Sequence, residues 1–379
     1  MVLLVGPRQC GKTTLARMFL QETRGAYYNW DVDKHRAALR ASDLEPDALL
    51  WIFDEIHKFR SWRNWLEGQF DLNGKEKQIL VAGSARLDVY HRGGDSLQGR
   101  FFSHRLHPLT FAEANNHLLP LENLDLIPDA PLVPPSGSDE ALSALLMLGG
   151  FPEPFQSGSE RLAARWRRSY GTTLVRQDVR DLESVRDLDK IELLFDRLPQ
   201  CVGSVLSINS LREDLEVAFN TARNWISILE RTYAVFRIPP FGSPKIKAVK
   251  KEQKLYFWDW SRVEDPAARF ENLLAVHLLR LCHWAEDVLG ESLELRYFRD
   301  VVGHEVDFVL LKGKKPWLVV EAKSSDQQID TGLKYLLERV RVPHAIQVAA
   351  FGKRDATLPA INGAKIRIMP ATRFLTQLA

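Results

Sequence analysis

The chain has 379 residues, a formal net charge of +2, 45% hydrophobic residues and 26% charged residues. At roughly 150 residues per domain that length holds two to three domains, and the composition excludes a disordered tail protein and a membrane protein. Near-neutrality also excludes a protein that coats nucleic acid by bulk charge.

Short apolar runs at Val2–Val5, 26–31, 49–54 and 79–84, and a further run after Gly99, predict strands, with a helix from Lys12 between the first two. Strands alternating with helices imply a mostly parallel sheet. Prolines 120, 128, 131, 134 and 135, followed by Ser136-Gly137-Ser138, can continue neither element. Residues 119–138 therefore read as a linker that closes a first domain at 118. From 139 to 199 the pattern is helical, with apolar Leu142, Leu145 and Leu146 and an arginine-rich amphipathic stretch over 160–185. Residues 208–241 read as helix, turn, helix, strand: Ser210 is expected to cap 211–218, Asn220-Thr221 to open a helix through Leu229, and 233–238 to be a strand. That order suits a winged helix within a middle region, 139–262. From 263 onward the expectation is a separate α/β unit: helix 271–281, strands 293–298, 306–311 and 317–322, helix 329–340 and strand 345–350.

Cys10, Cys201 and Cys282 stand far apart without metal-like spacing, and an odd number argues against a disulfide framework. A reducing cytoplasm is the expected location. No run reaches the roughly 18 apolar residues of a membrane span, so no membrane is expected among the partners.

Gly6-Pro7-Arg8-Gln9-Cys10-Gly11-Lys12-Thr13, followed by Thr14, matches the phosphate-binding P-loop pattern G-x-x-x-x-G-K-[ST], in the strand-to-helix context that the motif demands. The glycines let backbone N–H groups and the helix N-terminus face phosphate, Lys12 neutralises its charge, and Thr13 offers its hydroxyl to Mg²⁺. Downstream, the run 49–53 ends in Asp54-Glu55. Acids at the C-terminal end of a buried parallel strand lie where open α/β sheets bind ligands. Asp54 is expected to hold Mg²⁺ and Glu55 to orient or deprotonate the attacking water. Ser84, closing the next strand, is a candidate sensor of the γ-phosphate or water, and Arg100 a candidate arginine finger, in cis or from a neighbouring copy in a homo-oligomer.

Near the C-terminus, Glu305-Val306-Asp307 and Glu321-Ala322-Lys323 flank a turn at 312–315. A hairpin centred on Lys314 would set Asp307 opposite Glu321 and Glu305 opposite Lys323, all on one face because side chains alternate. Such a set can hold a second divalent metal, Mg²⁺ or Mn²⁺, against a phosphate, with Glu271 completing the site; ion pairing on a wet sheet face is the alternative. Another E-x-K, Glu252-Gln253-Lys254, has no partner acid on a matching strand. Two basic stripes, arginines 161, 165, 167, 168, 176 and 180 and lysines 245, 247, 250, 251 and 254, are candidate contacts for DNA, the second where the wing of a winged helix would lie.

The P-loop, residues 50–57 and 82–86, Gly99-Arg100, Pro108-Leu109-Thr110-Phe111-Ala112-Glu113, Gly149-Gly150-Phe151-Pro152-Glu153-Pro154, residues 177–182 and 254–259, Arg269-Phe270-Glu271-Asn272-Leu273-Leu274-Ala275 and Tyr297-Phe298-Arg299-Asp300 together resemble a prokaryotic family. Its members are AAA-type P-loop ATPases carrying a C-terminal restriction-endonuclease-like domain. The resemblance implies an α/β chain with a P-loop parallel-sheet ATPase core of the additional-strand class over 1–118, a middle containing a winged helix, and a nuclease-like domain over 263–379. It supports the roles given above to Asp54, Glu55, Ser84 and Arg100. Members of that family carry a leader before the first strand, part of which helps hold the base. Here the strand starts at Val2, so the expectation is a truncated start or adenine held by other parts. The expected activity is Mg²⁺-dependent ATP hydrolysis acting on nucleic acid through the C-terminal half. The alternatives are an ATP-regulated, metal-dependent DNA endonuclease and an ATP-gated nucleic-acid-binding switch without cleavage.

Overall fold

β1 (Val2–Val5), β3 (Leu50–Asp54) and β4 (Gln78–Ala82) are the apolar runs of the N-terminal sequence, and they form the middle of a sheet edged by β2 (Gly25–Asn29) and β5 (Phe102–Arg105). Strands buried on both faces need no polar alternation, which is why these read as continuous hydrophobic stretches. The computed structural model describes residues 1–83, 99–117, 124–180, 187–242 and 252–378. The chain divides into two units, Met1–His107 with Arg231–Tyr233, and Pro108–Glu230 with Ala234–Ala379.

In the first unit every strand pairing is parallel, in the order β2-β3-β4-β1-β5. β4 thus lies between the strand that leads into the P-loop and the strand that ends in Asp54, the additional-strand arrangement. Alternate side chains feed two cores: Leu3, Val5, Trp51, Phe53 and Val81 pack with Leu39, Trp62 and Leu66, while Leu4, Ile52, Leu80 and Ala82 pack with Ala16. These partners come from helices α1 (Lys12–Glu22), α2 (Asp33–Ala41) and α3 (Trp62–Asn73).

The second unit opens with helices Ser138–Leu148, Pro152–Gln156 and Glu160–Thr173, the last capped by Ser159 and running into a π-helical turn at Leu174–Val179. Helices Ile208–Asp214 and Phe219–Arg231 precede an antiparallel pair, β6 (Val235–Ile238) and β7 (Lys254–Phe257). Ser207, not Ser210, caps the first of these helices, its hydroxyl accepting from Ser210 N at 3.2 Å. The lysines expected at a wing, 245, 247, 250 and 251, lie outside the described residues.

Helix Pro266–Trp284 leads to a six-stranded sheet: β8 (Leu293–Arg299), β9 (Glu305–Lys312), β10 (Lys315–Lys323), β11 (His344–Ala349), β12 (Ala356–Ile361) and β13 (Ala364–Pro370). Its order is β12-β13-β11-β10-β9-β8, parallel across β10-β11-β13 and antiparallel elsewhere. The last pair escaped the sequence reading although its turn was legible. Asn362-Gly363, with φ of 50° and 81°, links Ile361 to its partner Ala364, the two-residue signal that favours a right-twisted hairpin.

The sequence suggests a linker and a separate tail; the structure joins them. Leu132 N donates to Gln377 Oε1 and Gln377 Nε2 to Leu132 O, both at 3.2 Å, while Arg373 Nε reaches Ala130 O. Proline-rich backbone cannot complete its own hydrogen bonds, so side chains from the C-terminal helix Ala371–Thr376 and its exit supply partners.

His277 ties the unit's helices together. Buried to 1% exposure, it accepts from Phe111 N through Nε2 at 2.9 Å and so carries its proton on Nδ1, donated to Leu273 O at 2.8 Å. Burial holds its pKa down, from 6.5 to about 4. The unfolded chain therefore binds the extra proton first, and stability falls as pH drops from 6.5 to 4. By linkage the loss is about 3 kcal/mol. Urea unfolding of the wild type against His277→Gln is expected to show this pH-dependent difference; parallel pH profiles would refute it.

Candidate nucleotide site and carboxylate cluster

The loop between β1 and α1 has the backbone its glycines allow. Gly6 has φ of 147°, and a Cβ there would lie 2.2 Å from Leu106 O, so no other residue fits. Gly11, with φ of 102°, precedes α1, whose first turn has no side-chain cap. The free N–H groups and the positive end of the helix are thus left for an anion. Lys12 is buried, its ammonium donating to Gly6 O at 3.0 Å and Pro7 O at 2.5 Å. Cys10 packs beneath the loop, where burial pushes its thiol pKa up. Arg8 is half-buried, and Gln9 and Thr14 are exposed.

Parallel pairing of β3 with β4 and of β4 with β1 brings Asp54 beside Thr13, across 41 residues of sequence. Thr13 Oγ1 donates to Asp54 Oδ2 at 2.8 Å, and Tyr27 Oη donates to the same oxygen at 2.6 Å. The hydroxyl and carboxylate oxygens of Thr13 and Asp54 are the hard donors that Mg²⁺ prefers, so the pair fits that ion. Sequence reasoning missed Tyr27. It stands two residues before Asn29, which pairs with Asp54 in the β2–β3 register, and so shares its face.

Glu55 sits just past the strand with φ of 55°, its N–H bound to Ala82 O at 3.0 Å. Its carboxylate lies 3.2 Å from Lys58 Nζ and 3.6 Å from His57 Nε2. Lys58 also pairs with Asp31 at 2.6 Å; burial opposes its charge, but the two acids outweigh that and raise its pKa. The guanidinium of Arg100 is bound by Asp71 at 2.9 Å and Glu67 at 3.1 Å, both on α3. Ser84 lies outside the described residues.

The β9–β10 hairpin has the expected register through Val320 opposite Phe308, with a bulge between Pro316 and Leu318 nearer its turn. At its open end side chains replace the ladder. Asp307 N donates to Glu321 Oε2 at 3.2 Å, and Ala322 N donates to Asp307 Oδ2 at 3.0 Å. Lys323 Nζ lies 2.8 Å from both Glu321 and Asp330. A cavity of about 480 Å³ adjoins His304, Glu305, Asp307, Glu321, Lys323 and Asp330.

Lys254 changes the reading of this face. It is neither on a basic stripe nor without acidic partners, as the sequence suggested. It is fully buried, with Nζ 3.0 Å from Glu271, 2.5 Å from Glu305 and 3.2 Å from Asp307. Burial opposes the ammonium, but the carboxylates hold its pKa well above the usual lysine value. Glu271 also accepts from Tyr256 Oη at 2.7 Å; burial and the Asp307 charge push its pKa up to about 7. Burial and Asp307 likewise raise the Glu321 pKa well above the carboxylate range, against Lys323. Among the described residues, no group of three or more His, Cys, Asp or Glu is arranged to hold a metal ion. The geometry thus lends no support to the second divalent metal expected at Glu271, Asp307, Glu321 and Lys323, whose carboxylates pair with Lys254 and Lys323 instead. The available signal was a lysine opening the otherwise apolar run Leu255-Tyr256-Phe257.

Residues 1–115 match a family described as an AAA domain. Residues 139–263 and 267–369 match two families described as domains of unknown function, DUF8612 and DUF4143. An uncharacterized protein of Mycobacterium tuberculosis is 26% identical over 260 residues, covering 68% of this chain and 54% of that protein. One of Methanocaldococcus jannaschii is 27% identical over 298 residues, covering 68% and 60%. The chain thus spans between half and three fifths of the length of these relatives. Among solved structures, the Aeropyrum pernix ORC1 protein in complex with DNA aligns at TM-score 0.33 and 15% identity, over 72% of this chain and 86% of that one. A Thermotoga maritima RuvB variant aligns at TM-score 0.30 and 20% identity, over 63% and 82%. No helix among the described residues is long and apolar enough to cross a membrane.

Proposed function

We propose that the first unit binds ATP with Mg²⁺ at residues 6–14 and hydrolyses it. The observation that carries this reading is the meeting of Thr13 and Asp54 at 2.8 Å beneath a glycine-shaped loop that opens onto an uncapped helix N-terminus. Lys12 exchanges the carbonyls of Gly6 and Pro7 for phosphate oxygens, a charged acceptor that a carbonyl cannot match. Mg²⁺, when bound, neutralises charge on the β and γ oxygens. Tyr27 keeps the Asp54 carboxylate in place, and Glu55 would take up the proton of the attacking water once its carboxylate turns from Lys58 toward the nucleotide. Arg100 would serve the γ-phosphate only after leaving Glu67 and Asp71. Phosphate release by the wild type compared with Lys12→Ala tests the proposal: turnover is expected in the first alone, and equal rates would overturn it.

The second reading, ATP-dependent action on nucleic acid, is favoured by Arg161, Arg165 and Arg168, all exposed on helix Glu160–Thr173. Residues four and three apart share a helix face, and phosphate contacts by arginine release counterions. Salt titration of single-stranded and duplex DNA binding is expected to lose about 2 to 3 units of slope in the triple alanine variant. An unchanged slope would count against this surface.

A further inference from the structure

We infer that the Lys254 ammonium is the permanent cation of the carboxylate cluster in the second unit, standing where a divalent metal would have to sit, so that this face works without one. Lys254 reaches three carboxylates carried by two elements, Glu271 on helix Pro266–Trp284 and Glu305 and Asp307 on β9. Two of the three remaining oxygens are taken: Ala322 N holds Asp307 Oδ2, and Arg299 lies 3.4 Å from Glu305 Oε2. Tyr256 Oη donates to the same Glu271 Oε1 that Lys254 reaches. A metal entering here would meet a positive charge and a set of acids already hydrogen-bonded.

Nor can the lysine swing aside cheaply. Its backbone pairs with Ile238 in β6 and bridges to Val205 on the other side. The next three residues, Leu255, Tyr256 and Phe257, are 0% exposed. The Asn272 side chain then clamps Phe257, accepting from its N–H at 2.8 Å and donating to its carbonyl at 2.7 Å. The strand that bears the ammonium is thereby fixed to the helix that bears Glu271. The backbone that bears Lys254 is thus fixed, and moving its ammonium away means breaking three buried ion pairs. A lysine suits the place because its charge is compact and it donates in three directions, one for each carboxylate.

Mn²⁺ titration of the full chain, followed by the electron paramagnetic resonance of free Mn²⁺ and without nucleotide, tests this independently of the ATPase reading. Wild type and Glu271→Gln, both retaining Lys254, are expected to give superimposable titrations. Lys254→Gln is expected to bind Mn²⁺ at least tenfold more tightly than wild type, and adding Asp307→Asn to remove the gain. Saturable wild-type binding that Glu271→Gln abolishes would overturn the inference, whether or not Lys254→Gln folds. So would a Lys254→Gln protein of native circular dichroism that gains no Mn²⁺.

Discussion

Glu55→Gln is expected to keep ATP binding and lose hydrolysis, while Lys12→Ala loses binding as well. The glutamine preserves size and hydrogen bonding but cannot take a proton from water. General-base catalysis of this kind is worth roughly 10²–10⁴-fold in rate. Nothing in the loop changes, because the Glu55 backbone is held by Ala82 O at 3.0 Å and its carboxylate faces Lys58 and His57 rather than residues 6–13. Removing the Lys12 ammonium instead deletes a hydrogen bond to a charged phosphate, about 1.5–3 kcal/mol or roughly 10- to 150-fold in affinity. Fluorescent-nucleotide titration and single-turnover phosphate release separate the two variants. Glu55→Gln turning over at the wild-type rate would remove Glu55 from the chemistry without touching the nucleotide site.

The largest stability effect is expected at Lys254. Lys254→Ala leaves Glu271, Glu305 and Asp307 facing one another without their shared cation. Breaking a buried charge set by deleting one partner costs about 3–5 kcal/mol. The sign with pH follows. Glu271, already pushed up to about 7 by burial and the Asp307 charge, holds its proton more tightly still without the ammonium, so the variant regains stability as pH falls through that value and loses it as pH rises. Lys254→Met combined with Glu271→Gln, which at pH 8 removes one charge of each sign, is expected to recover part of the loss there. Urea unfolding at pH 5 and pH 8 measures all three. A Lys254→Ala protein as stable as wild type at pH 8 would show that the cluster is held by solvent, not by this lysine.

These two expectations also divide what could be read from the chain alone. The loop between β1 and α1 was legible because its shape is local: glycines at 6 and 11 set the backbone within eight residues that end in Lys12-Thr13. The place of Asp54 and Glu55 at the end of β3 was legible because an apolar run closed by acids marks where a buried strand leaves its sheet. The β9–β10 register followed from the period of two and a short turn, and the structure shows it through Val320 and Phe308. The β12–β13 hairpin could have been read from Asn362-Gly363 in the same way.

Tertiary packing decided the rest. Tyr27 reaches Asp54 only because β2 pairs with β3. Arg100 meets Glu67 and Asp71 across some thirty residues of intervening chain. The proline-rich segment is held by Arg373 and Gln377, from the other end of the sequence. Lys254 is the clearest case: spacing made it one charge in a basic stripe, whereas folding set it against acids 17 to 53 residues away. Local sequence specifies which backbone shapes and side-chain faces are available. Which faces come together, and which charges lose their water in doing so, depends on long-range burial, and that is a property of the folded chain.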